Sequence, residues 1–326
     1  MRDSQTRGLS PAAKAALTFS LVIGGTAYGA ATASADTSRT ASAAAVRDGQ
    51  AVRTTPISEA EVRKQIRRLE ASYKGRIGAY ALDTATGKTV GHRANEIFAI
   101  NSTFKAMECA AVLKKARTSE PGLMNKVIHW TQDEVVSASP KTDKRGEEGM
   151  TVAELCDAAI TYSDNTAGNM VLKQIGGPAG LTKYFRSLKD PISRLDRWET
   201  ELNNWSPKEK RDTTTPAWIA RDLRKVAVDD ALAPEDREQL NAWLKANTTG
   251  GTRIRAGLPK EWIIGDKTGT GDAYGTADDI AVIRTSATAA PIIMAIYTNR
   301  DTIDGQRDNK VVEKTATILA QGLGKL

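Results

Sequence analysis

Strand-forming stretches lie near both ends of this 326-residue chain, and the long stretch between them is mainly helix-forming. Five segments are predicted strands, at residues 76–82, 88–92, 262–266, 279–285 and 291–298. A terminal helix is predicted at residues 311–323. A sheet built from both ends requires the middle of the chain to leave it and return. The pattern therefore predicts an α/β (α+β) fold with an inserted all-helical domain.

The helical signals set the domain boundaries. Ser58 opens an amphipathic helix in which Val62, Ile66 and Leu69 repeat at helical spacing. In the middle of the chain, residues 106–116 and 152–160 are examples of predicted helices. We predict a sheet domain formed by residues 57–98 together with residues 248–326. We predict an inserted helical domain at residues 99–247.

The N-terminus has the form of a secretory signal peptide. Two arginines precede a mostly apolar run at residues 15–31, and Ala33-Ser34-Ala35 has the small residues that a signal peptidase accepts. The alternative is a short membrane anchor, but the run is rich in Gly, Ala and Ser and short for a span. We predict a signal peptide at residues 1–35, cleaved near Ala35, and a flexible lead-in at residues 36–56. The mature protein would be secreted and free of the membrane.

Charge and cysteine content exclude some functions. The formal charge of +7 is spread along the chain beside acidic residues, and aromatic residues make up 5%. A nucleic-acid binder usually clusters its cations, so nucleic acid is not expected as a partner. Cys109 and Cys156 are the two cysteines, and in a secreted chain they favour one disulfide. No metal site is expected, because the Cys and His residues lack ligand spacing.

The two histidines offer no base to a serine or cysteine nucleophile. His92 lies in the first predicted hairpin and His129 lies beside Trp130 in a strand-like stretch. Ordinary structural roles are the simpler interpretation, and a Ser-His-Asp site is not expected. A hydrolase of this sequence would need lysine and carboxylates as proton carriers.

A serine and a lysine have the spacing that such a site needs. Ser102 and Lys105 are three residues apart at the start of a predicted helix, so both lie on one face. The N-terminus of a helix also favours a developing oxyanion. Alone the motif is weak, because a helix-capping serine and a surface lysine would give the same pattern.

Three further elements follow in order. Ser163-Asp164-Asn165, followed by Asn169, comes after a helix, and Lys267-Thr268-Gly269-Thr270 ends a predicted strand. Between them, a polar stretch containing Glu199 and Asn203 is predicted to be a long structured loop, which Arg197 and Asp212 could close as an ion pair. Each element alone would also fit an ordinary loop or hairpin end.

Together, S-x-x-K, S-D-N and K-T-G are the signature of class A β-lactamases and penicillin-binding proteins. From about residue 58 to residue 326 the sequence resembles the class A serine β-lactamases, including their Glu-x-x-x-Asn loop at Glu199 and Asn203. Cys109 and Cys156 fall where many members have a disulfide. The sequence Asn-Thr-Thr-Gly at residues 247–250, together with Arg253, resembles the actinobacterial and carbapenem-hydrolysing branches of this family.

The resemblance implies a five-stranded antiparallel sheet flanked by helices, with the site between the sheet and the helical domain. It implies a monomer without cofactor that hydrolyses penicillins and some cephalosporins, and so confers antibiotic resistance. The implied catalytic residues are Ser102, Lys105, Ser163 and Glu199. The implied substrate-binding residues are Asn165, Asn203, Arg253, Lys267, Thr268, Gly269 and Thr270. The implied supporting residues are Asn169, Arg197 and Asp212.

The resemblance also implies how the roles are divided. Ser102 would be acylated, Lys105 would act on its proton, and Glu199 would activate the deacylating water. Whether Lys105 or Glu199 is the acylation base stays open. Backbone N–H groups of Ser102 and Thr270 would bind the oxyanion.

Two positions depart from the family pattern. Ala138 stands where many members have an aromatic wall of the substrate entrance, so the entrance would be wider. Asp278 stands where Asn is commoner. We expect Asp278 to point to solvent; the alternative is that its charge lowers the affinity for anionic substrates.

Two other functions share the three motifs. One is a penicillin-binding D-Ala-D-Ala peptidase, and the other is a non-hydrolytic β-lactam receptor. Neither carries the deacylating loop, so Glu199 and Asn203 favour hydrolysis.

Overall fold

The computed structural model of the protein describes residues 56–326. The predicted signal peptide and all but the last residue of the predicted lead-in lie outside these residues. In the described part the helices are α1 (Glu59–Tyr73), α2 (Phe104–Thr118), α3 (Val152–Thr161), α4 (Asn165–Gln174), α5 (Gly177–Ser187), α6 (Pro216–Ala227), α7 (Pro234–Ala246) and α8 (Asn309–Leu323). The strands are β1 (Gly75–Asp83), β2 (Thr89–His92), β3 (Phe98–Ala99), β4 (Val127–Ile128), β5 (Met150–Thr151), β6 (Thr213–Thr214), β7 (Ile263–Thr270), β8 (Ala277–Arg284) and β9 (Ile292–Arg300).

The main sheet has five strands in the order β2-β1-β9-β8-β7, and all neighbours are antiparallel. β1 and β2 come from the start of the described chain, and β7 to β9 come from its end. The long central strand β9 pairs with β1 on one side and with β8 on the other, so Ile296 lies between Ala79 and Asp279. The predicted fold class is confirmed.

Helices cover both faces of this sheet. On β9 the side chains of Ile292, Met294 and Ile296 join one apolar cluster with α1 and α8. The alternate residues, including Ile293 and Tyr297, join a second cluster with α2, α6 and α7. Successive strand residues point to opposite faces, so a strand buried on both faces is apolar at nearly every position. This explains why residues 280–283 of β8 and residues 292–297 of β9 are continuously apolar.

Helix α2 is the centre of the helical layer. Its residues from Phe104 to Leu113 are all buried, because α3, α4, α5, α6 and α7 pack around it. A disulfide joins Cys109 of α2 to Cys156 of α3, as predicted. It closes a loop with a sequence separation of 47 residues. By chain-entropy arguments such a link stabilises the fold by about 2–4 kcal/mol.

The predicted element ends agree closely with the structure, except where β7 ends and where β8 begins. Ser58 caps α1 by accepting a hydrogen bond from the Glu61 N–H at 3.2 Å. The third strand from the C-terminus, β7, does not end at residue 266 but continues to Thr270. The reason is that β8 begins early enough to pair with it as far as Thr270↔Ala277. Lys267 to Thr270 therefore lie inside a strand.

None of the helices between residues 56 and 326 has the length and apolar character that crossing a bilayer requires.

Candidate active site

Ser102 lies in a single 3-10 turn, Asn101–Thr103, that leads directly into α2. Its hydroxyl Oγ lies 3.1 Å from Lys105 Nζ and 3.0 Å from Glu199 Oε1. The turn fixes the direction of Ser102, and the first turn of α2 brings Lys105 under it. The structure thus brings a serine, a lysine and a carboxylate together at one point.

Lys105 is completely buried and is not a surface lysine. Its Nζ lies 2.9 Å from Glu199 Oε1 and donates to Asn165 Oδ1 at 2.6 Å and to the Ser163 carbonyl at 3.0 Å. These three oxygens and Ser102 Oγ surround the amine. A buried amine needs such partners, because an unpaired one would carry a large desolvation cost. The S-x-x-K and S-D-N motifs therefore meet at Lys105.

Ser163 links the helical layer to the sheet. Its Oγ accepts a hydrogen bond from Lys267 Nζ at 2.8 Å, and Lys267 also donates to the Thr268 carbonyl at 2.7 Å. Ser163 has a φ of 57°, a conformation that non-glycine residues adopt mainly where the surroundings hold them. Burial, reinforced by the nearby charge of Lys105, lowers the pKa of Lys267 well below its ordinary value. The second and third motifs thus meet between α3 and β7.

The loop that carries Glu199 is held at both its backbone and its side chain. Asn169 of α4 accepts from the Glu199 N–H at 3.0 Å and donates to the Glu199 carbonyl at 2.9 Å. Asn203 donates to Glu199 Oε2 at 2.7 Å. The other carboxylate oxygen, Oε1, is the one that faces Ser102 and Lys105. Glu199 is therefore fixed in one orientation.

An ion pair closes the base of this loop. Arg197 Nε lies 2.5 Å from Asp212 Oδ2, and Asp212 Oδ1 accepts from the N–H groups of Asp196 at 2.7 Å and Arg197 at 2.9 Å. Asp212 is fully buried and has a φ of 53°. Its carboxylate therefore holds together the two ends of the loop, which are fifteen residues apart in the sequence.

Replacing Asp212 by asparagine is expected to lower the free energy of unfolding by about 3 kcal/mol, because it leaves the Arg197 charge without its buried partner. Asparagine has the shape of aspartate and tolerates the positive φ, so the decrease in unfolding free energy measures the loss of the charged partner of Arg197. Denaturant unfolding measures it. The control is Glu209→Ala, which removes the more exposed Glu209–Arg211 ion pair of the same loop and should cost no more than about 1 kcal/mol. Equal effects of both changes would contradict the closing role of Asp212.

Arg253 supports the end of β7 through hydrogen bonds of its guanidinium. Its guanidinium donates to the carbonyls of Gly269 and Asp278, at 2.6 and 2.7 Å, and to Thr270 Oγ1 at 2.7 Å. Burial lowers its pKa from the ordinary value. Because protein oxygens use several of its donors, Arg253 can act on a bound anion mainly through Thr270.

A cavity of about 540 Å³ opens above these groups. Its lining includes Ser102, Ser163, Asn165, Asn203, Arg253, Thr268, Thr270 and, at the rim, Ser137, Ala138 and Pro140. Ala138 is exposed, so at its position the rim carries a methyl group and no larger side chain. A larger cavity of about 740 Å³ lies between α1 and β9, but none of the motif residues lines it. The smaller cavity is therefore the candidate active site.

The expectation that Asp278 points to solvent is wrong. Asp278 is 1% exposed, and its carboxyl oxygens accept from Asn101 Nδ2 at 2.6 Å and from the Thr298 N–H at 3.1 Å. The cause is that β8 starts at Ala277, so Asp278 belongs to a strand with both faces covered. Burial raises its pKa to about 8.

Sequence patterns did not single out Asn101, Thr249 or Glu108. Asn101 immediately precedes Ser102 with a φ of 40°, and Thr249 Oγ1 lies 2.5 Å from Thr268 Oγ1 in the cavity wall. Glu108 is fully buried one turn after Lys105, and burial raises its pKa well above the ordinary value. An asparagine directly before the serine was the one available signal, because Asn tolerates positive φ. Within residues 56–326, no group of three or more His, Cys, Asp or Glu side chains is arranged to hold a metal ion.

Comparisons with known proteins agree with one another. Residues 61–323 match the model of the β-lactamase enzyme family. β-Lactamase AST-1 of Nocardia asteroides is 50% identical over 256 residues, which are 78% of this chain and 82% of that protein. The crystal structure of a β-lactamase from Streptosporangium roseum is 67% identical, with a TM-score of 0.81, over 82% of this chain and 100% of that one.

A reconstructed class A β-lactamase, the last common ancestor of Gram-negative bacteria, is 46% identical with a TM-score of 0.77. That likeness covers 80% of this chain and 99% of the ancestral one. The family model spans most of the chain, and the relatives match over nearly their full lengths. The chain therefore belongs to the β-lactamase enzyme family, as a class A enzyme that hydrolyses β-lactams.

Proposed function

We propose that this protein hydrolyses the β-lactam amide of penicillins, and of some cephalosporins, through an acyl-enzyme on Ser102. The observation that carries the proposal is the contact of Ser102 Oγ with both Lys105 Nζ and Glu199 Oε1. A serine hydroxyl becomes nucleophilic when a base removes its proton, and both candidate bases lie within hydrogen-bond distance. Such hydrolysis would make the host resistant to these antibiotics.

Acylation begins with attack of Ser102 Oγ on the β-lactam carbonyl. The Ser102 proton passes to Lys105 or Glu199, which are themselves 2.9 Å apart. Because the two groups are in contact, a proton received by one can reach the other without crossing solvent. The N–H groups of Ser102 and Thr270 stabilise the oxyanion, since the start of α2 and the end of β7 face the same cavity.

Opening of the ring requires a proton on the departing nitrogen. Ser163 supplies it, and Lys267 stabilises the Ser163 oxygen as the proton leaves. The 2.8 Å contact between Lys267 Nζ and Ser163 Oγ supports this role. The proton that Lys105 or Glu199 took from Ser102 replaces the one that Ser163 has lost, since Lys105 Nζ lies 3.0 Å from the carbonyl of Ser163.

Deacylation needs a base for water. Glu199 takes this role, because its Oε1 is the carboxylate oxygen nearest Ser102 Oγ, where the ester forms. Asn203 and Asn169 keep the carboxylate in that orientation through the hydrogen bonds described above. The Arg197–Asp212 ion pair keeps the loop closed.

Substrate binding uses the edge of β7 and the S-D-N turn. Lys267, Thr268 and Thr270 bind the substrate carboxylate, with Arg253 acting through Thr270. Gly269 allows β7 to lie close against the turn that presents Ser102, since a methyl group there would lie 3.0 Å from Thr103 and 3.1 Å from Asn101. Asn165 holds the amide of the substrate side chain from the opposite wall.

Sustained turnover of a chromogenic cephalosporin by the mature protein tests the proposal. We expect linear product formation well beyond one equivalent of enzyme. A single burst of one equivalent, with no steady state, would instead indicate a peptidase or a receptor that stays acylated. Neither of those functions needs a carboxylate beside the acylated serine, so the Glu199 contact favours hydrolysis.

The remaining predictions concern the setting of the enzyme. We propose that it is exported after cleavage near Ala35, a segment outside the described residues, and that it acts as a monomer without nucleic-acid or membrane partners. The Cys109–Cys156 disulfide is typical of proteins that work outside the cytoplasm. We also propose the division into residues 57–98 plus 248–326 and residues 99–247.

A further inference from the structure

Asp278 lies directly behind the turn that presents Ser102. Its Oδ2 is 2.6 Å from the side-chain amide of Asn101, the residue before the nucleophile. Gly269 of β7 lies alongside, since a methyl group there would be 3.2 Å from Asp278 Oδ2. Asp278 thus contacts the turn of Ser102 beside Gly269 of β7, and it does not line the cavity.

Asn101 needs a support of this kind. It is completely buried and has a φ of 40°, in the left-handed region that residues other than glycine keep only where their surroundings hold them. Asp278 is the side chain to which Asn101 is hydrogen-bonded in the described part of the chain. The conformation of Asn101 sets the direction of Ser102, because the two are adjacent.

A second anchor lies on the other side of the nucleophile. Thr103 Oγ1 shares a hydrogen bond of 2.8 Å with Tyr297 OH of β9. The turn is therefore attached to the sheet at Asn101 through β8 and at Thr103 through β9. Of these two anchors, the Asp278 carboxyl is the one able to change its charge near neutral pH.

The surroundings of Asp278 favour its neutral form. Burial raises the pKa of Asp278 to about 8, although the hydrogen bonds from Asn101 and from the Thr298 N–H and the charge of Arg253 oppose the shift. The other titratable groups around it are Tyr73 of α1, Tyr297 of β9 and Asp279 of β8. None of them is a cation that would pair with the carboxylate, and β7 faces it with Gly269.

A neutral Asp278 can also donate a hydrogen bond to Asn101. The amide oxygen Oδ1 of Asn101 is buried and has no hydrogen-bond partner in the described part of the chain. A half-turn of this amide presents the oxygen to the O–H of a protonated Asp278, at a distance normal for an O–H···O bond. An ionised Asp278 cannot donate this bond and would leave a negative charge buried beside the turn.

We propose that Asp278 is a positioning residue for Ser102: its protonated form holds Asn101 in the conformation that presents the nucleophile, and its ionised form slows acylation. The inference rests on the proposed function, because it concerns the same acylation step. It adds a residue that does not touch the substrate, and a dependence on pH that begins outside the cavity. In shape and in hydrogen-bonding capacity, a protonated Asp278 is equivalent to asparagine.

The test compares full-length mature wild type with Asp278→Asn and Asp278→Ala, measuring kcat/KM for a chromogenic cephalosporin from pH 6 to pH 10. The readout is the ratio of Asp278→Asn to wild type, in which the titrations of all other groups cancel. We expect this ratio to rise at least threefold, with a midpoint near pH 8, because the amide cannot ionise. Asp278→Ala should have lower kcat/KM than wild type at every pH. Below pH 7, Asp278→Asn should have the kcat/KM of wild type.

A third variant separates positioning from a direct effect of charge. Asn101→Gly keeps the positive φ through the backbone alone and no longer needs Asp278. Its kcat/KM should therefore lack the step near pH 8 that wild type shows. A step that persists in Asn101→Gly, or a ratio of Asp278→Asn to wild type that is constant with pH, would overturn the proposal. If wild type itself gave no turnover at any pH, the proposed function would fail instead. Circular dichroism at each pH verifies that the variants stay folded.

Discussion

Replacement of Glu199 by alanine is expected to leave Ser102 permanently acylated. The change removes the carboxylate nearest the ester oxygen, while Lys105 remains 3.1 Å from Ser102 Oγ to accept its proton. Loss of a general base typically slows a step by about 10²–10⁴-fold, and here the slowed step is hydrolysis of the ester. The mass of the intact protein after mixing with a penicillin should increase by the mass of one substrate molecule, and this adduct should last about 10²–10⁴ times as long as in the wild type.

The control is Glu201→Ala, because Glu201 lies in the same loop two residues away and is exposed. This variant should turn over at nearly the wild-type rate and show no lasting adduct. Wild-type turnover in Glu199→Ala would refute the role of Glu199. If Glu199→Ala formed no adduct at all, Glu199 would be needed in acylation too, and the division of roles would be wrong.

The chemistry of this site was predictable from short motifs, but its connections were not. Serine and lysine three residues apart on a helix must be neighbours, whatever the rest of the chain does. The contact of Ser102 with Glu199 joins residues 97 positions apart, and that of Lys267 with Ser163 joins residues 104 apart. No local pattern encodes such pairs. The resemblance of the whole set of motifs to a known family predicted that these residues share one site, but not which of their atoms touch.

Asp278 shows where local patterns fail. A predicted strand that began at residue 279 left Asp278 in the preceding turn, where a carboxylate would face water. The strand in fact begins at Ala277 and has both faces covered, so Asp278 is buried. The extension of β7 to Thr270 has the same origin, since the two strands pair with each other. Strand ends are set by the partner strand, which the sequence of either strand alone does not contain.

The role of Gly168, a glycine near the nucleophile, also became clear only from the structure. Gly168 of α4 leaves room for Lys105, because a methyl group there would lie 2.9 Å from Lys105 Cε. In the sequence this glycine follows the S-D-N motif without any special signal. Tight packing around a buried lysine, rather than a turn, explains its position.

Replacement of Ser102 by alanine is expected to abolish acylation and to lower kcat/KM by at least about 10⁴-fold, because no other hydroxyl contacts both Lys105 and Glu199 in the described part of the chain. The fold should persist, since within the described residues the hydrogen bonds of the Ser102 side chain are to these two residues and none of them caps α2. Intact-protein mass spectrometry with a penicillin should show no adduct, while thermal unfolding should show a cooperative transition.

The matched control is Ser137→Ala, because Ser137 is an exposed serine at the rim of the same cavity. It should be acylated and turn over at a rate near that of wild type. The informative contrary result is an adduct on Ser102→Ala. Peptide mapping would then place it, and with Ser102 replaced, Ser163 is the remaining serine of the described cavity whose Oγ is bound to a buried lysine. An adduct there would mean that Lys267, rather than Lys105, activates the nucleophile.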